Sequence, residues 1–167
     1  MSSLTALSAP EVVRLLELQP HPEGGWYRET WRHLPSKRRR GAGTAIFYLL
    51  EAGQTSHWHR LDAVEIWHFY GGAALEQSVS QDGEAVEARL LGPDLAAGES
   101  PQLLVPAGAW QSARSLGSWT LAGCTVSPAF EFKNFELASP DWTPGKSLSA
   151  GTDGAAGPPE GRATKPR

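Results

Sequence analysis

The chain has 167 residues, of which 40% are apolar, so it is long enough for one domain with a buried core. Fifteen basic and eighteen acidic side chains give a formal net charge of −3, which indicates neither a nucleic acid nor an anionic membrane as a partner. A single cysteine, Cys124, excludes a disulfide framework and a cysteine-based zinc module. No apolar run approaches the roughly 20 residues of a membrane span. Since the N-terminus lacks a signal-peptide pattern, we expect a cytoplasmic protein.

The first predicted element is a helix over residues 9–18. Ser8 and Glu11 have the spacing of a capping box, and Pro10 stands in the first turn, where its missing N–H costs little. An apolar stripe at helical spacing follows, and Pro20 ends it. We expect this helix to pack against the outside of the fold.

After the helix the sequence changes to short β-rich segments. Most are separated by glycine or proline, which together supply 31 of the 167 residues (18 and 13), and their starts are about 8–12 residues apart. This spacing predicts an antiparallel sandwich or barrel rather than βαβ units. A strand is also expected over 26–30, and the remaining segments are 44–50, 55–60, 64–70, 73–79, 85–91, 102–105 and 119–126.

The composition changes again at residue 139. The segment 139–167 is rich in glycine, proline, serine and alanine and offers few apolar anchors. Such a segment cannot bury enough surface to offset its ordering entropy. We therefore predict a single domain over 1–138 and a flexible C-terminal tail.

Two histidines and a glutamate form a candidate metal site. His57 and His59 are two residues apart in a predicted strand, so regular alternation places both on one face. Glu65 begins the next strand and would lie beside them if the strands pair. Two imidazoles and a carboxylate suit one divalent iron, manganese, nickel or zinc ion.

The same residues also suit a metal-free pocket. His59 and Glu65 would then be the catalytic acid–base pair. Further groups are candidates for ligand binding because they offer amides, a phenol, a carboxylate or flat aromatic walls. These candidates are Tyr27, Glu29, Trp67, Phe69, Gln102, Trp110 and Gln111.

Two longer segments carry a family resemblance. GQTSHWHRLDAVEIWHFYGG (53–72) resembles the first cupin signature, G-x5-H-x-H-x3,4-E-x6-G, and GESPQLLVPAGAWQ (98–111) resembles the second, G-x5-P-x-G-x2-H-x3-N. Segments 20–30, 59–70, 91–102, 105–114 and 123–132 are similar to the cupin-5 family of small RmlC-like proteins. The chain departs from these signatures at Gln111, which stands where the second has its histidine, and in the lengths of three spacers.

The resemblance implies a double-stranded β-helix, that is, a jelly-roll barrel over about 24–137, paired as a homodimer. It leaves three functions open. The first is an epimerase, isomerase or hydrolase acting on a sugar-like or nucleotide-sugar ligand, in which Tyr27 or Tyr48 would be the acid. The second is a metal-dependent enzyme using His57, His59 and Glu65, and the third is a non-catalytic metabolite-binding module.

Overall fold

The computed structural model describes residues 4–36 and 39–146. In these residues one short α-helix precedes eleven strands. Their bounds are α1 (Ala9–Leu15), β1 (Gln19–Pro20), β2 (Trp26–Arg32), β3 (Thr44–Glu51), β4 (Thr55–Leu61), β5 (Val64–Gly72), β6 (Leu75–Ser80), β7 (Glu87–Leu91), β8 (Gln102–Val105), β9 (Trp110–Ser115), β10 (Trp119–Ser127) and β11 (Phe135–Leu137). The described helices are too short to cross a membrane.

The strands form two antiparallel sheets. The six-stranded sheet has the order β1-β2-β3-β10-β5-β8, and the five-stranded sheet has the order β11-β4-β9-β6-β7. The main core lies between them, since Tyr48 and Trp67 of the first sheet pack in one cluster with Leu75 and Ala113 of the second. The predicted all-β jelly-roll barrel with a short N-terminal helix is confirmed.

The helix is shorter than the predicted 9–18. The capping box forms as expected, because the Ser8 N–H and hydroxyl both donate to the Glu11 carboxylate. The helix ends at Leu15, however, and Glu17 has a positive φ of 53°. This turn lets Leu18 join a second apolar cluster with Val12, between the helix and the barrel. Burial of Leu18 therefore overrides the helical pattern.

Of the predicted flexible tail, 139–167, the structure describes residues 139–146. Residues 139–146 pack on the outer face of the five-stranded sheet, where Trp142 meets Trp110. The rest of the predicted tail, 147–167, lies outside the described residues.

On the outer face of the six-stranded sheet, Trp31, Tyr70 and Leu104 are exposed. The homodimer implied by the resemblance stays a prediction.

Gly72 gives a test of the packing at the end of β5. Its φ is +85°, and a Cβ there would lie 2.4 Å from the Trp119 carbonyl oxygen. Gly53 has nearly the same backbone, with a φ of +80°, but no heavy atom lies within 4 Å of its Cβ position. The two glycines thus separate backbone strain from steric exclusion.

We expect Gly72→Ala to lower the free energy of unfolding by at least about 3 kcal/mol, because backbone strain and a clash with Trp119 add. Gly53→Ala should cost only about 1–2 kcal/mol, from backbone strain alone. Urea unfolding of both variants measures the difference. Equal losses would show that the approach of β5 to β10 is not tightly constrained.

Candidate functional site

A short loop before β2 brings polar side chains into the barrel. In this loop, residues 21–25, Gly24 has a φ of +108°, and a Cβ there would lie 2.3 Å from the Thr55 carbonyl oxygen. Only glycine permits this approach to β4. The Tyr48 hydroxyl donates to the Gly24 carbonyl at 2.6 Å and fixes the loop from the barrel side. As a result, Glu23 is buried opposite β4.

A β-bulge in β4 directs two side chains toward Glu23. Ser56 pairs with Ala113 and His59 pairs with Gln111, so two residues of β4 oppose one residue of β9. The Ser112 hydroxyl donates to the Ser56 carbonyl at 2.8 Å and stabilises this irregularity. The extra residue breaks the alternation of the strand. Ser56 and His59 are therefore both buried inside the barrel, although they are three residues apart.

The bulge also separates His57 from His59, which corrects the prediction that they share a face. The Nε2 of His57 lies 3.0 Å from the Ser139 carbonyl oxygen, so this ring points toward the C-terminal segment and away from Glu65. No group of three His, Cys, Asp or Glu side chains in 4–36 and 39–146 is arranged to hold a metal ion. The predicted ligand set of His57, His59 and Glu65 thus does not fit the expected divalent metal.

His59 is enclosed and held in one orientation. Its side chain is 3% exposed, and its Nδ1 lies 2.8 Å from the His57 carbonyl oxygen. Since a carbonyl only accepts hydrogen bonds, Nδ1 carries a proton, and in the neutral ring Nε2 keeps its lone pair. Nε2 lies 3.3 Å from Oε2 of Glu23. Burial lowers the pKa of His59, while the charge of Glu65 partly opposes this shift.

The carboxyl group of Glu23 connects two imidazoles. Its Oε2 lies 3.3 Å from Nε2 of His59 and 3.6 Å from Nδ1 of His21. Its Oε1 accepts a hydrogen bond of 2.9 Å from the Ser56 hydroxyl. Burial raises the pKa of Glu23 and lowers that of His21. Burial thus moves the pKa values of these groups toward each other, which favours sharing of a proton.

Glu65 is the second buried carboxyl group. Its Oε2 accepts a hydrogen bond from the Gln111 amide, whose own oxygen accepts one of 3.1 Å from the Trp67 indole. Burial raises the pKa of Glu65, the charge of His59 lowers it, and the charge of Glu23 raises it further. In the six-stranded sheet, Glu65 is paired with Val105 of β8. Glu65 therefore faces the cavity from a rigid strand.

A cavity of about 240 Å³ opens beside these groups. Its polar lining includes His21, Glu65, Tyr27 and Glu29, and no lysine or arginine in the described part of the chain lines it. The remaining lining is largely apolar and aromatic and includes Ile46, Val126, Phe130 and Phe132, with the thiol of Cys124. Burial raises the pKa of Cys124 well above its usual value, which keeps the thiol protonated.

The other predicted ligand-binding residues divide into three groups. Tyr27 and Glu29 line the cavity, and their contact with a ligand stays a prediction. Trp67 and Phe69 face the interior, where they pack in the core. Gln102 is exposed, and its amide lies 3.2 Å from Nδ1 of His68. Trp110 packs outside the barrel, with the Arg60 guanidinium 4.6 Å from its ring centre. Gln102 and Trp110 were expected in the pocket, but they lie on the outer faces of the two sheets.

Two site residues, His21 and Glu23, were missed by the sequence reasoning. The segment HPEGG (21–25), with a proline and two glycines, has the composition of a simple turn. A signal was available, because this segment lies in one of the blocks that carry the family resemblance. The position of Glu23 next to two glycines does not by itself indicate that its side chain enters the barrel. Tyr48, considered as an acid, instead donates to Gly24.

Comparisons with known proteins agree with this architecture. The family model Cupin_5, described as "Cupin superfamily (DUF985)", matches residues 10–138. Protein SO0799 from Shewanella oneidensis is 39% identical, with a TM-score of 0.76, over 80% of this chain and 85% of that one. A hypothetical protein from Leishmania major is 30% identical, with a TM-score of 0.73, over 80% and 88%.

A more distant structural match shows the fold alone. Oxalate decarboxylase from Bacillus subtilis is 13% identical, with a TM-score of 0.55, over 71% of this chain and 29% of that one. No match was found among curated proteins.

The buried imidazole of His59 predicts a pH-dependent stability. Its pKa in the folded protein lies below the ordinary value of 6.5, so the folded state binds this proton less readily than the unfolded state. The resulting stabilisation is present above pH 6.5 and is lost as the pH falls through the folded-state pKa. We expect the free energy of unfolding of the wild type, relative to His59→Gln, to fall below pH 6.5.

Urea unfolding from about pH 8 to about pH 5 measures this difference. A matched control is His68→Gln, because His68 lies on the outer face and bonds to Thr125. The control should follow the wild-type pH dependence. Parallel curves for the wild type and His59→Gln would contradict the assignment of a buried, neutral His59.

Proposed function

The chain belongs to the Cupin_5 family of the cupin superfamily, and because that fold hosts many activities, we propose from the site itself that the protein binds a small sugar-like molecule and catalyses proton transfer within it. In this proposal His21 and Glu65 contact the ligand, Glu23 exchanges a proton with His21, and His59 lies next to Glu23. The reaction class is isomerisation, epimerisation or hydrolysis. The observation that carries the proposal is the sharing of the Glu23 carboxyl between two imidazoles beside the cavity.

The four groups form one acid–base cluster, of which two members line the cavity. Glu65 interacts electrostatically with His59, His59 lies next to Glu23, and Glu23 lies next to His21. Glu65 and His21 both line the cavity. A ligand can therefore lose a proton to one of them and receive a proton from the other, as acid–base catalysis requires.

The hydrogen bonds of His21 indicate how it would supply a proton. The Glu23 backbone N–H donates to Nδ1 of His21 at 3.3 Å, so in the neutral ring Nε2 carries the proton. In the proposed step, Glu65 takes a proton from a C–H or O–H bond of the ligand, and Nε2 of His21 gives one back at another position. Nδ1 then takes the proton of the Glu23 carboxyl group. Glu65 then releases its proton to water, Nε2 of His21 takes one proton from water, and Nδ1 returns its proton to Glu23. The starting state is restored and protons balance.

The size of the cavity favours a single small ring as the ligand. Its volume of about 240 Å³ is below the usual range for drug-sized ligands, about 300–1,000 Å³. Aromatic side chains such as Tyr27 and Phe132 offer flat apolar walls, and Glu65 and Glu29 offer acceptors for hydroxyl groups. A nucleotide sugar would exceed this volume, so a free sugar or polyol fits the cavity better.

The charge of the lining argues against an anionic ligand. Glu65 and Glu29 are carboxyl groups, and the nearby Arg32 already makes two hydrogen bonds to Glu29, of 2.9 and 2.6 Å. Its third bond goes to the Phe130 carbonyl at 2.8 Å. The arginine at this rim is thus committed to protein acceptors. A phosphate in the cavity would meet carboxylates without a matching cation.

Replacement of Glu65 tests the proton transfer. We expect Glu65→Gln to reduce deuterium incorporation from D₂O into a sugar substrate by about 100-fold or more, because a positioned acid or base contributes that much. Incorporation is followed by NMR with a panel of neutral aldoses and ketoses. The control is Glu87→Gln, since Glu87 is exposed on β7.

The outcome of this experiment separates the remaining functions. Exchange that is equal in the wild type, Glu65→Gln and Glu87→Gln would contradict the catalytic role of Glu65. Binding of a sugar in a thermal shift assay without any exchange would leave a non-catalytic binding module. One equivalent of transition metal in the purified protein, lost in His59→Gln, would favour the metal-dependent alternative over this proposal.

A matched pair of ligands tests the charge of the cavity. We expect any hexose that binds to lose at least about tenfold in affinity when it carries a phosphate, because like charges face each other without a cation. Calorimetry with glucose and glucose 6-phosphate, or the corresponding pair for the hexose that binds, measures this. Glu29→Gln should narrow the difference, since it removes one charge and frees Arg32. Tighter binding of the phosphate would contradict the proposed ligand class.

A further inference from the structure

A C-terminal strap, residues 139–146, crosses the outer face of the five-stranded sheet. It lies beyond residues 10–138, which the family model matches. It begins where β11 ends, at the edge formed by pairing of β11 with β4. Because the strap starts beside β4, it is in position to act on the bulge that orients His59.

The strap and the residue before it contact both residues of the bulge. The Ala138 N–H donates to the Trp58 carbonyl at 2.9 Å. The His57 ring donates from Nε2 to the Ser139 carbonyl at 3.0 Å. These two bonds hold His57 and Trp58 from the outside, at the point where β4 departs from regular pairing with β9.

The far end of the strap is anchored by aromatic packing and one backbone bond. The ring of Trp142 lies 4.4 Å from that of Trp110 and meets the Trp58 ring edge-on at 6.1 Å between centres. The Gly145 N–H donates to the Gly83 carbonyl at 2.9 Å, in the turn after β6. The strap therefore spans the sheet from β4 to the β6–β7 turn.

His57 connects this strap to the buried site. Its backbone N–H donates to the Glu23 carbonyl at 2.8 Å, and its own carbonyl accepts the Nδ1 hydrogen of His59. Its side chain bonds to Ser139. One residue thus fixes the loop that carries Glu23, the orientation of His59 and the start of the strap.

We propose that the strap, anchored by Trp142, positions His59 through His57. His57 is a positioning residue here, because its ring reaches the strap while its backbone holds the two buried groups. Release of the strap would let the bulge relax and would loosen the bond from Nδ1 of His59. The inference does not depend on the reaction proposed above, since it concerns the orientation of His59 in the free protein.

The tautomer of His59 is the measured property. It would not change if the strap only contributed to the overall stability of the fold. We expect ¹⁵N NMR of the full-length wild type to show His59 protonated at Nδ1. In Trp142→Ala and His57→Ala we expect loss of this single tautomer. The exchange of the Ala138 amide should become faster by roughly tenfold, the factor for loss of about one net hydrogen bond.

Conservative variants and a matched control separate this effect from general destabilisation. Trp142→Phe keeps an aromatic ring, and His57→Gln keeps a donor for Ser139, so both should restore the wild-type His59 spectrum. Trp31→Ala is the control, because Trp31 is 53% exposed on the other sheet. This control should leave the tautomer of His59 unchanged.

The proposal is overturned if Trp142→Ala frees the strap, seen as fast exchange at Gly145, while His59 keeps its single Nδ1–H tautomer. Native-state exchange of the wild type gives a second test, which requires no variant to fold. The amides of His57, Ala138 and Gly145 should open together as one cooperative unit. Independent opening of the strap and of His57 would also overturn the proposal.

Discussion

The bulge in β4 is the constraint on which the site depends. With regular alternation, Ser56 and His59 would point to opposite sides of the sheet. The extra residue sends both inward, toward Glu23, and turns His57 outward. The glycine loop that carries Glu23 fits against this part of β4. Local backbone irregularity, rather than sequence spacing, therefore decides which groups meet in the barrel.

Burial of two carboxyl groups inside the barrel lowers the stability of the fold. Glu23 and Glu65 are 8% and 6% exposed, and among the described residues neither is paired with an arginine or lysine. Arginine–carboxylate pairs such as Arg60–Glu136 lie on the outside instead. Desolvation of unpaired carboxyl groups opposes folding, so the apolar core must offset it. Reduced folding stability is typical of a binding site that contains buried titratable groups.

The sequence predicted the fold well and the site in part, for different physical reasons. Alternation and glycine or proline turns marked most strands, but β9 was missed because its Gln-Ser-Ala-Arg-Ser segment is poor in β-branched residues. Glu65, predicted as a catalytic residue, lines the cavity, and its catalytic role stays a prediction. The prediction that His57 and His59 share one face of β4 was wrong, since a bulge leaves no local pattern in the sequence. The inward fold of the loop with His21 and Glu23 depends on contacts with distant strands, which spacing does not encode.

The bonds of Gln111 give the buried network a direction. An indole N–H can only donate, so Trp67 forces the amide oxygen of Gln111 to face it and the amide nitrogen to face Glu65. Oε2 of Glu65 is then always an acceptor, and any proton on this group must reside on Oε1. A histidine in place of Gln111 could change its own protonation and reverse this polarity, whereas an amide cannot. The barrel therefore holds a carboxyl group in which one oxygen is fixed as an acceptor and only the other can carry the proton.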